Sequence, residues 1–252
     1  MTRHKLSTAA VLLATLAPTF ASAQGEAPGS GQSRYRDCLA LVAEAPERAL
    51  GQAEAWELEG GGNAARHCAA TALVAAGRPA EGATRLDDLV RELENVDPGL
   101  AGELAKQAGA AWQLAGRMDR ARGSFGRALA IDPEDREALV RRGWTLGNLA
   151  DYEAAAADFT AALALRPDDP EVLRHRAAAY RFLGDYDRAL ADIERAISAD
   201  PGSPDAYLER GNIRRLMENQ GGAEADWRHV VAMAPDSAAA AAARTNLRRL
   251  EE

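Results

Sequence analysis

The sequence predicts an all-α protein built as a solenoid of stacked antiparallel helix pairs. The first observation is a period: Pro133, Pro167, Pro201 and Pro235 are separated by 34 residues each. The second is composition, because 47% of the residues are hydrophobic but only 5% are aromatic. A core made mainly of Ala and Leu favours closely approaching helices over a β-sandwich, which is rich in aromatic and β-branched residues.

Other positions repeat in the same register as the prolines. One column holds small residues and another holds large apolar ones. The small column is Gly109, Gly143, Ala177 and Gly211, and the large column is Phe125, Phe159, Ile193 and Trp227. Small residues allow two helices to approach closely while the large side chain fills the space between them. Repetition at this period is typical of stacked helix pairs.

The turn between the paired helices also repeats. The segment 183–189, with Gly184 at its centre, matches Gly116 and Ala150 one and two repeats earlier. On these residues the chain resembles the tetratricopeptide-repeat family. The resemblance implies a right-handed superhelix with four clear repeats at 102–135, 136–169, 170–203 and 204–235. In the last repeat Glu218 replaces the turn glycine, so we expect a looser turn there.

The N-terminus has the pattern of an export signal over residues 1–23. Arg3 and Lys5 precede a short apolar stretch, and the small residues of 21–23 form a cleavage site before Gln24. We therefore expect a periplasmic protein that keeps no stable membrane span after cleavage near Ala23-Gln24. A retained N-terminal anchor is the alternative. Residues 24–32 are predicted to be a flexible leader.

Residues 33–101 are predicted to form degenerate helix pairs of the same type. Cys38 and Cys68 lie 30 residues apart, at the same place in the first helix of successive pairs. In an oxidising compartment such a pair favours a disulfide that joins neighbouring helices. Two free thiols are the alternative, whereas a metal site lacks ligands because only His67 is adjacent.

The end of the chain, residues 236–252, is predicted to be a capping helix. The alanines of 238–243 would lie flat on the last repeat, while Arg244, Arg248 and Arg249 would keep the outer end polar. A solenoid needs such an end, because its last repeat otherwise exposes an apolar face. A disordered Ala-rich tail is the alternative.

Opposite charges recur 16 residues apart on the two helices of three repeats. We interpret them as structural ion pairs that fix the register of the helices. The pairs are Arg142 with Asp158, Arg176 with Asp192, and Arg210 with Asp226. In the first clear repeat both charges are missing, since Ala108 and Ser124 occupy these positions. A row of arginines that lines a binding groove is the alternative.

The sequence contains no catalytic or cofactor motif, so we expect neither an enzyme nor a bound cofactor or metal. The acidic pair Asp87-Asp88 is interpreted as helix surface. A net charge of −8 argues against a nucleic-acid partner.

By the same resemblance, the first helix of each repeat would line a concave groove that binds a protein or peptide partner. The predicted groove residues are Lys106, Gln113, Trp144, Arg174, Arg181, Asn212 and Arg215. The alternative is that Trp144 packs between repeats and the arginines form a solvated face.

The predicted function is a non-catalytic interaction scaffold of the cell envelope. Two alternatives are an accessory or chaperone module for cytochrome maturation or secretion assembly, and an accessory subunit of an envelope hydrolase or transferase.

Overall fold

The computed structural model describes residues 30–251, which form thirteen α-helices and no strand. The helices are α1 Ser30–Glu44, α2 Pro46–Leu58, α3 Gly62–Ala75, α4 Pro79–Leu93, α5 Pro98–Leu114, α6 Met118–Ile131, α7 Arg136–Asn148, α8 Tyr152–Leu165, α9 Pro170–Phe182, α10 Tyr186–Ala199, α11 Pro204–Leu216, α12 Gln220–Met233 and α13 Ala238–Glu251. The predicted signal peptide lies outside the described residues. Residues 30–32, predicted as leader, belong to α1 instead. No helix in the described range combines the length and apolar character of a membrane span.

The helix ends follow from local sequence. The side chains that accept a hydrogen bond from the backbone of the first turn are Asp97, Asp135, Asp151, Asp169, Asp185, Ser203, Asn219 and Ser237. Such side chains satisfy amide groups that have no partner within the helix. The recurring prolines each lie two residues beyond a second helix, as at Pro133 after α6 and Pro167 after α8. Proline cannot continue a helix, so it separates one repeat from the next.

The turns inside the pairs share one backbone conformation. Gly116, Ala150, Gly184 and Glu218 all have a left-handed φ, between 59° and 78°. The looser turn expected at Glu218 is therefore wrong: its φ is 64°, and Asn219 caps the following helix by accepting the Gly222 amide. The turn keeps the same backbone conformation without a glycine, because the Asn219 cap and the packing of the two helices hold it.

The helices divide into two compact units, with unit 1 ending at Arg141 and unit 2 beginning at Arg142. In unit 1, α1 to α6 pack consecutively, and α1 also packs against α3. In unit 2, α8 to α13 pack consecutively, and α13 packs against both α11 and α12. Each unit therefore buries its apolar faces between neighbouring helices, as a stack of repeats does.

The predicted disulfide is confirmed in unit 1. Cys38 on α1 and Cys68 on α3 are bonded, with a Cα–Cα distance of 6.3 Å. Both side chains are buried. The bridge joins the first helices of two successive pairs, at the N-terminal end of the described chain.

A buried polar chain lies beside the disulfide. The Tyr35 hydroxyl is 2.7 Å from Nδ1 of His67, and Nε2 of His67 is 2.7 Å from Oε1 of Gln107. Because the Gln107 oxygen only accepts, Nε2 carries the proton and Nδ1 accepts from Tyr35. The imidazole is thus held as one neutral tautomer, and its burial lowers the pKa of His67 to about 4.

Asp87 is buried, contrary to its interpretation as helix surface. Its carboxylate accepts hydrogen bonds from Trp112 Nε1 at 2.8 Å and from Ser124 Oγ at 2.9 Å, and Arg127 lies at 3.3 Å. Ser124 occupies the place of the aspartate in the later repeats. For the pair formed by α5 and α6, the buried carboxylate therefore comes from α4, the helix before the pair.

In unit 2 the paired charges lie across the two helices of each repeat. Each arginine donates two hydrogen bonds to its aspartate. The distances are 2.7 and 2.7 Å for Arg142–Asp158, 2.7 and 2.8 Å for Arg176–Asp192, and 3.0 and 2.6 Å for Arg210–Asp226. These hydrogen bonds raise the pKa of each arginine. A bidentate pair fixes angle as well as distance, so it sets the register of one helix on the other.

The last helix, α13, packs on the last repeat through alanines. Ala239, Ala240 and Ala243 are buried in one cluster with Trp227 and Val230 of α12. Arg248 and Arg249 remain exposed on the same helix. The flat alanine face lets α13 lie close to the large tryptophan beneath it.

Reduction of the disulfide is expected to lower the free energy of unfolding by about 3–4 kcal/mol, because the bridge restricts the unfolded chain over a loop of 30 residues. Urea unfolding followed by circular dichroism, with and without a reducing agent, measures the effect. The Cys38→Ala, Cys68→Ala double variant should unfold alike in both conditions. A wild-type midpoint that ignores the reductant would contradict the bridge.

Acid is expected to destabilise the protein through His67. Its folded pKa, about 4, lies below the ordinary value of about 6.5, so the unfolded chain gains a proton first as pH falls. Stability is complete above pH 6.5 and declines below it by about 1.4 kcal/mol per pH unit, or about 2 kcal/mol by pH 5. Urea unfolding at pH 7, 6 and 5 measures this slope. In His67→Gln the slope should be smaller by that amount, and an unchanged slope would contradict the assignment.

Candidate functional site

Unit 2 has an apolar pocket between the first helices of two successive repeats, which we call the Trp144 pocket. Its volume is about 160 Å³. It is lined by Gly143, Trp144, Gly147, Asn148, Tyr152, Ala155, Phe159, His175, Ala178, Ala179 and Phe182. Trp144 is 39% exposed and Phe182 is 55% exposed. Two large apolar side chains therefore face solvent around an open space.

Two glycines of α7 create this space in different ways. A Cβ on Gly143 would lie 2.8 Å from Cε1 of Phe159, so this glycine allows the ring to pack directly against the helix. A Cβ on Gly147, one turn later, would meet nothing within 4 Å. The first glycine is a packing requirement, whereas the second leaves a gap in the surface beside Trp144.

Aromatic rings form the walls of the pocket. Tyr152 and Phe182 stack almost in parallel, with ring centroids 4.5 Å apart. Phe159 stacks on His175 at 5.7 Å. Burial, together with the neighbouring Arg174 charge, lowers the pKa of His175 to about 4, so this wall is uncharged at neutral pH. The arrangement suits an apolar side chain and holds no acid–base pair.

A sequence model of the tetratricopeptide repeat matches three overlapping stretches, at residues 107–170, 140–204 and 176–238. Together they span just over half of the chain. The chain belongs to the tetratricopeptide-repeat family. Proteins of this family typically act as non-catalytic interaction scaffolds. The same fold binds many unrelated partners, so the family does not identify the partner.

Solved tetratricopeptide-repeat structures share this fold. MamA from Desulfovibrio magneticus RS-1, residues 41 to the end, is 21% identical with a TM-score of 0.62, and the match covers 68% of this chain and 96% of that chain. MamA from strain MSR-1 is 19% identical with a TM-score of 0.58, covering 69% and 97%. At these identities the similarity shows the fold. No curated protein matches the chain.

The two predicted groove residues of unit 1 are engaged in internal contacts. Lys106 is 8% exposed and its amine lies 2.9 Å from Glu103 and 2.8 Å from Asp135. Burial by itself would lower the pKa of Lys106, but the hydrogen bonds to these carboxylates raise it above its ordinary value. Gln113 donates to the Arg141 carbonyl at 3.3 Å. Lys106 therefore neutralises nearby carboxylates of its own unit.

The other predicted groove residues lie in unit 2, and three of them have intramolecular partners. Arg174 donates to Glu171 at 2.7 Å, which lowers the pKa of Glu171. Arg181 donates to Glu209 at 2.6 Å, and its guanidinium lies 4.2 Å from the Phe182 ring centroid. Asn212 accepts from Asn246 of α13 at 2.9 Å. Arg215 is exposed.

The sequence pattern points to Trp144 but not to Phe182 and Tyr152, which complete the pocket. Gly147 is the sequence feature that indicates the pocket. It lies at the position that Gln113, Arg181 and Arg215 occupy in the other repeats, at a spacing of 34 residues. A missing side chain in a column of long polar ones indicates a gap in the surface. The aromatic stack that borders the gap follows from packing between α8 and α9, which sequence spacing alone does not reveal.

The two glycines of α7 are expected to respond oppositely to alanine. Gly143→Ala should destabilise the protein by about 1–3 kcal/mol, because the methyl group overlaps the Phe159 ring. Gly147→Ala should stabilise it by about 0.5–1 kcal/mol, because the space is open and alanine favours the helix. Urea unfolding of both variants measures the difference, and equal effects would contradict the described packing.

Proposed function

We propose that the protein is a non-catalytic interaction scaffold of the bacterial cell envelope. Unit 2 binds an extended segment of a partner protein, and an apolar side chain of that segment occupies the Trp144 pocket. The observation that carries this proposal is the exposure of Trp144 and Phe182 around the gap at Gly147.

The size and lining of the pocket indicate the type of side chain. An apolar cavity of about 150 Å³ is large enough to hold benzene. At about 160 Å³ the Trp144 pocket suits one large side chain such as Leu, Met or Phe. Trp144 and Phe182 would lose their exposed apolar area on binding, which is the main source of affinity at such contacts.

The rings at the edge of the pocket are held in place by contacts within the protein. Glu209 holds the Arg181 guanidinium, which covers one face of the Phe182 ring. The Tyr152 ring stacks against Phe182 and limits its rotation. The rings are therefore held in place before the partner arrives, which reduces the entropy lost on binding.

The envelope location rests on two features of the N-terminal part of the chain. Residues 1–23 have the composition of an export signal. The Cys38–Cys68 bridge supports the same location, because disulfides persist in oxidising compartments.

Gly147→Leu tests the proposal, because leucine would fill the pocket without meeting other atoms at its Cβ. The tagged protein is produced in its own host, crosslinked mildly in intact cells and recovered by osmotic shock, which releases periplasmic contents. Wild type is expected to bring down a protein partner that Gly147→Leu loses. Peptide mapping of the crosslinks should place the contact on α7 or α9.

Gly123→Leu is the matched control. It adds the same side chain at an exposed helical glycine of unit 1 with no atom within 4 Å of its Cβ, and it should retain the partner. Retention of the partner by Gly147→Leu would contradict binding at the pocket. Failure of osmotic shock to release the protein would contradict the periplasmic location.

A further inference from the structure

Unit 1 has an open cleft between α1 and α2 that reaches one half of the disulfide. Its volume is about 330 Å³, within the range of pockets that hold small molecules. Cys38 belongs to its lining, whereas Cys68 does not. We call this space the Cys38 cleft. It is lined by Arg34, Asp37, Cys38, Gln52, Ala55 and Trp56.

The two cysteines differ in how a reagent can approach them. The eight residues 67–74 of α3 are all buried, and Cys68 has no exposed surface. Eight consecutive residues make more than two turns, so α3 is enclosed on every side around Cys68. On α1, by contrast, Asp37 and Ala40 beside Cys38 are exposed. A reagent therefore reaches Cys38 through the cleft, whereas Cys68 becomes accessible only if the helices separate.

Contacts within unit 1 hold the walls of the cleft. Sγ of Cys38 lies 3.9 Å from the Ala49 carbonyl oxygen, which places this sulfur against α2. One turn before Cys38, the Arg34 guanidinium lies 5.1 Å from the Trp56 ring centroid and 2.8 Å from Glu59. The cleft is therefore a formed feature of the folded helices α1 and α2.

We propose that Cys38 is the sulfur that reacts with a donor disulfide when the Cys38–Cys68 bridge forms. The ligand of the cleft is then the disulfide of a thiol peptide or of a protein. Thiol–disulfide exchange passes through a mixed disulfide, and access decides which sulfur forms it. The proposal concerns unit 1 and is independent of the Trp144 pocket.

The exchange has two steps. The Cys38 thiolate attacks one sulfur of the donor, the S–S bond of the donor breaks, and its first thiolate leaves. The Cys68 thiolate then attacks Sγ of Cys38, the bond between Cys38 and the donor breaks, and the second donor thiolate leaves. Both cysteines are oxidised, both donor sulfurs are reduced, and the two cysteine protons pass through water to the donor thiolates. The second step is intramolecular, because the Cα atoms of the two cysteines are 6.3 Å apart.

Single-cysteine variants of the full chain test the proposal with oxidised glutathione as the probe. Cys68→Ala keeps Cys38, and Cys38→Ala keeps Cys68. Mass spectrometry measures the rate at which each variant gains glutathione, and circular dichroism checks that each is folded. In the folded variants Cys38 is expected to react about tenfold faster than Cys68 or more, because only Cys38 lines the cleft. In concentrated urea the two should react alike. A folded Cys68 that reacts as fast as Cys38 would overturn the proposal.

Reduced wild type gives a second measurement that needs no variant. Oxidised glutathione is added, and the reaction is stopped with acid before the bridge closes. Peptide mapping then shows which cysteine carries glutathione. We expect it on Cys38, and equal labelling of both cysteines would contradict entry through the cleft.

Filling the cleft tests the route of approach. Ala55→Leu, in the Cys68→Ala background, should slow the reaction of Cys38 several-fold, because Ala55 is exposed in the lining. Ala40→Leu is the matched control, since Ala40 is exposed on α1 outside the lining, and it should leave the rate unchanged. Equal rates in the two variants would show that the donor does not enter the cleft. A protein donor with a Cys-X-X-Cys disulfide is compared with glutathione, and the donor that reacts faster with Cys38 identifies the source.

Discussion

The contact between a small residue on one helix and a large apolar side chain on its partner determines the rest of this structure. A Cβ on Gly109 would lie 2.7 Å from Phe125, and one on Gly211 would lie 2.5 Å from Trp227. Each ring therefore touches the backbone of the opposite helix. A helix pair held this closely is still too small to be stable alone, so its remaining apolar faces must pack against neighbouring pairs. The repeated stack, and the surface it presents, follow from that requirement.

Buried charge gives each repeat its register. Asp158, Asp192 and Asp226 are buried, and each binds an arginine from the first helix of its own repeat. An unpaired charge in these positions would be costly, so only one arrangement of the two helices satisfies the pair. The pair formed by α5 and α6 also contains a buried carboxylate, but Asp87 of α4 supplies it. There the carboxylate comes from another helix, and tryptophan and serine side chains help to satisfy it.

The fold was predictable because its causes repeat along the sequence: the prolines, the small and large columns, and the equivalent positions of Cys38 and Cys68. The exceptions depend on packing between residues far apart in the chain. In the sequence Asp87 resembles a surface residue beside Asp88, whereas in the fold it is buried because α4 packs against α5. In the sequence Lys106 resembles a free cation, whereas in the fold its amine lies 2.8 Å from Asp135 of the same unit. The Trp144 pocket was only half predictable, because it depends on a side chain that is absent at Gly147 and on rings brought in by other helices.

The proposed function requires the gap at Gly147 to be an open apolar pocket in the folded protein. Xenon enters apolar cavities of this size, so diffraction from crystals pressurised with xenon would detect the pocket. We expect a xenon peak between Trp144 and Phe182, with both rings in the positions described above. If there is no peak and the Trp144 indole lies over Gly147, the surface is closed and the pocket does not exist.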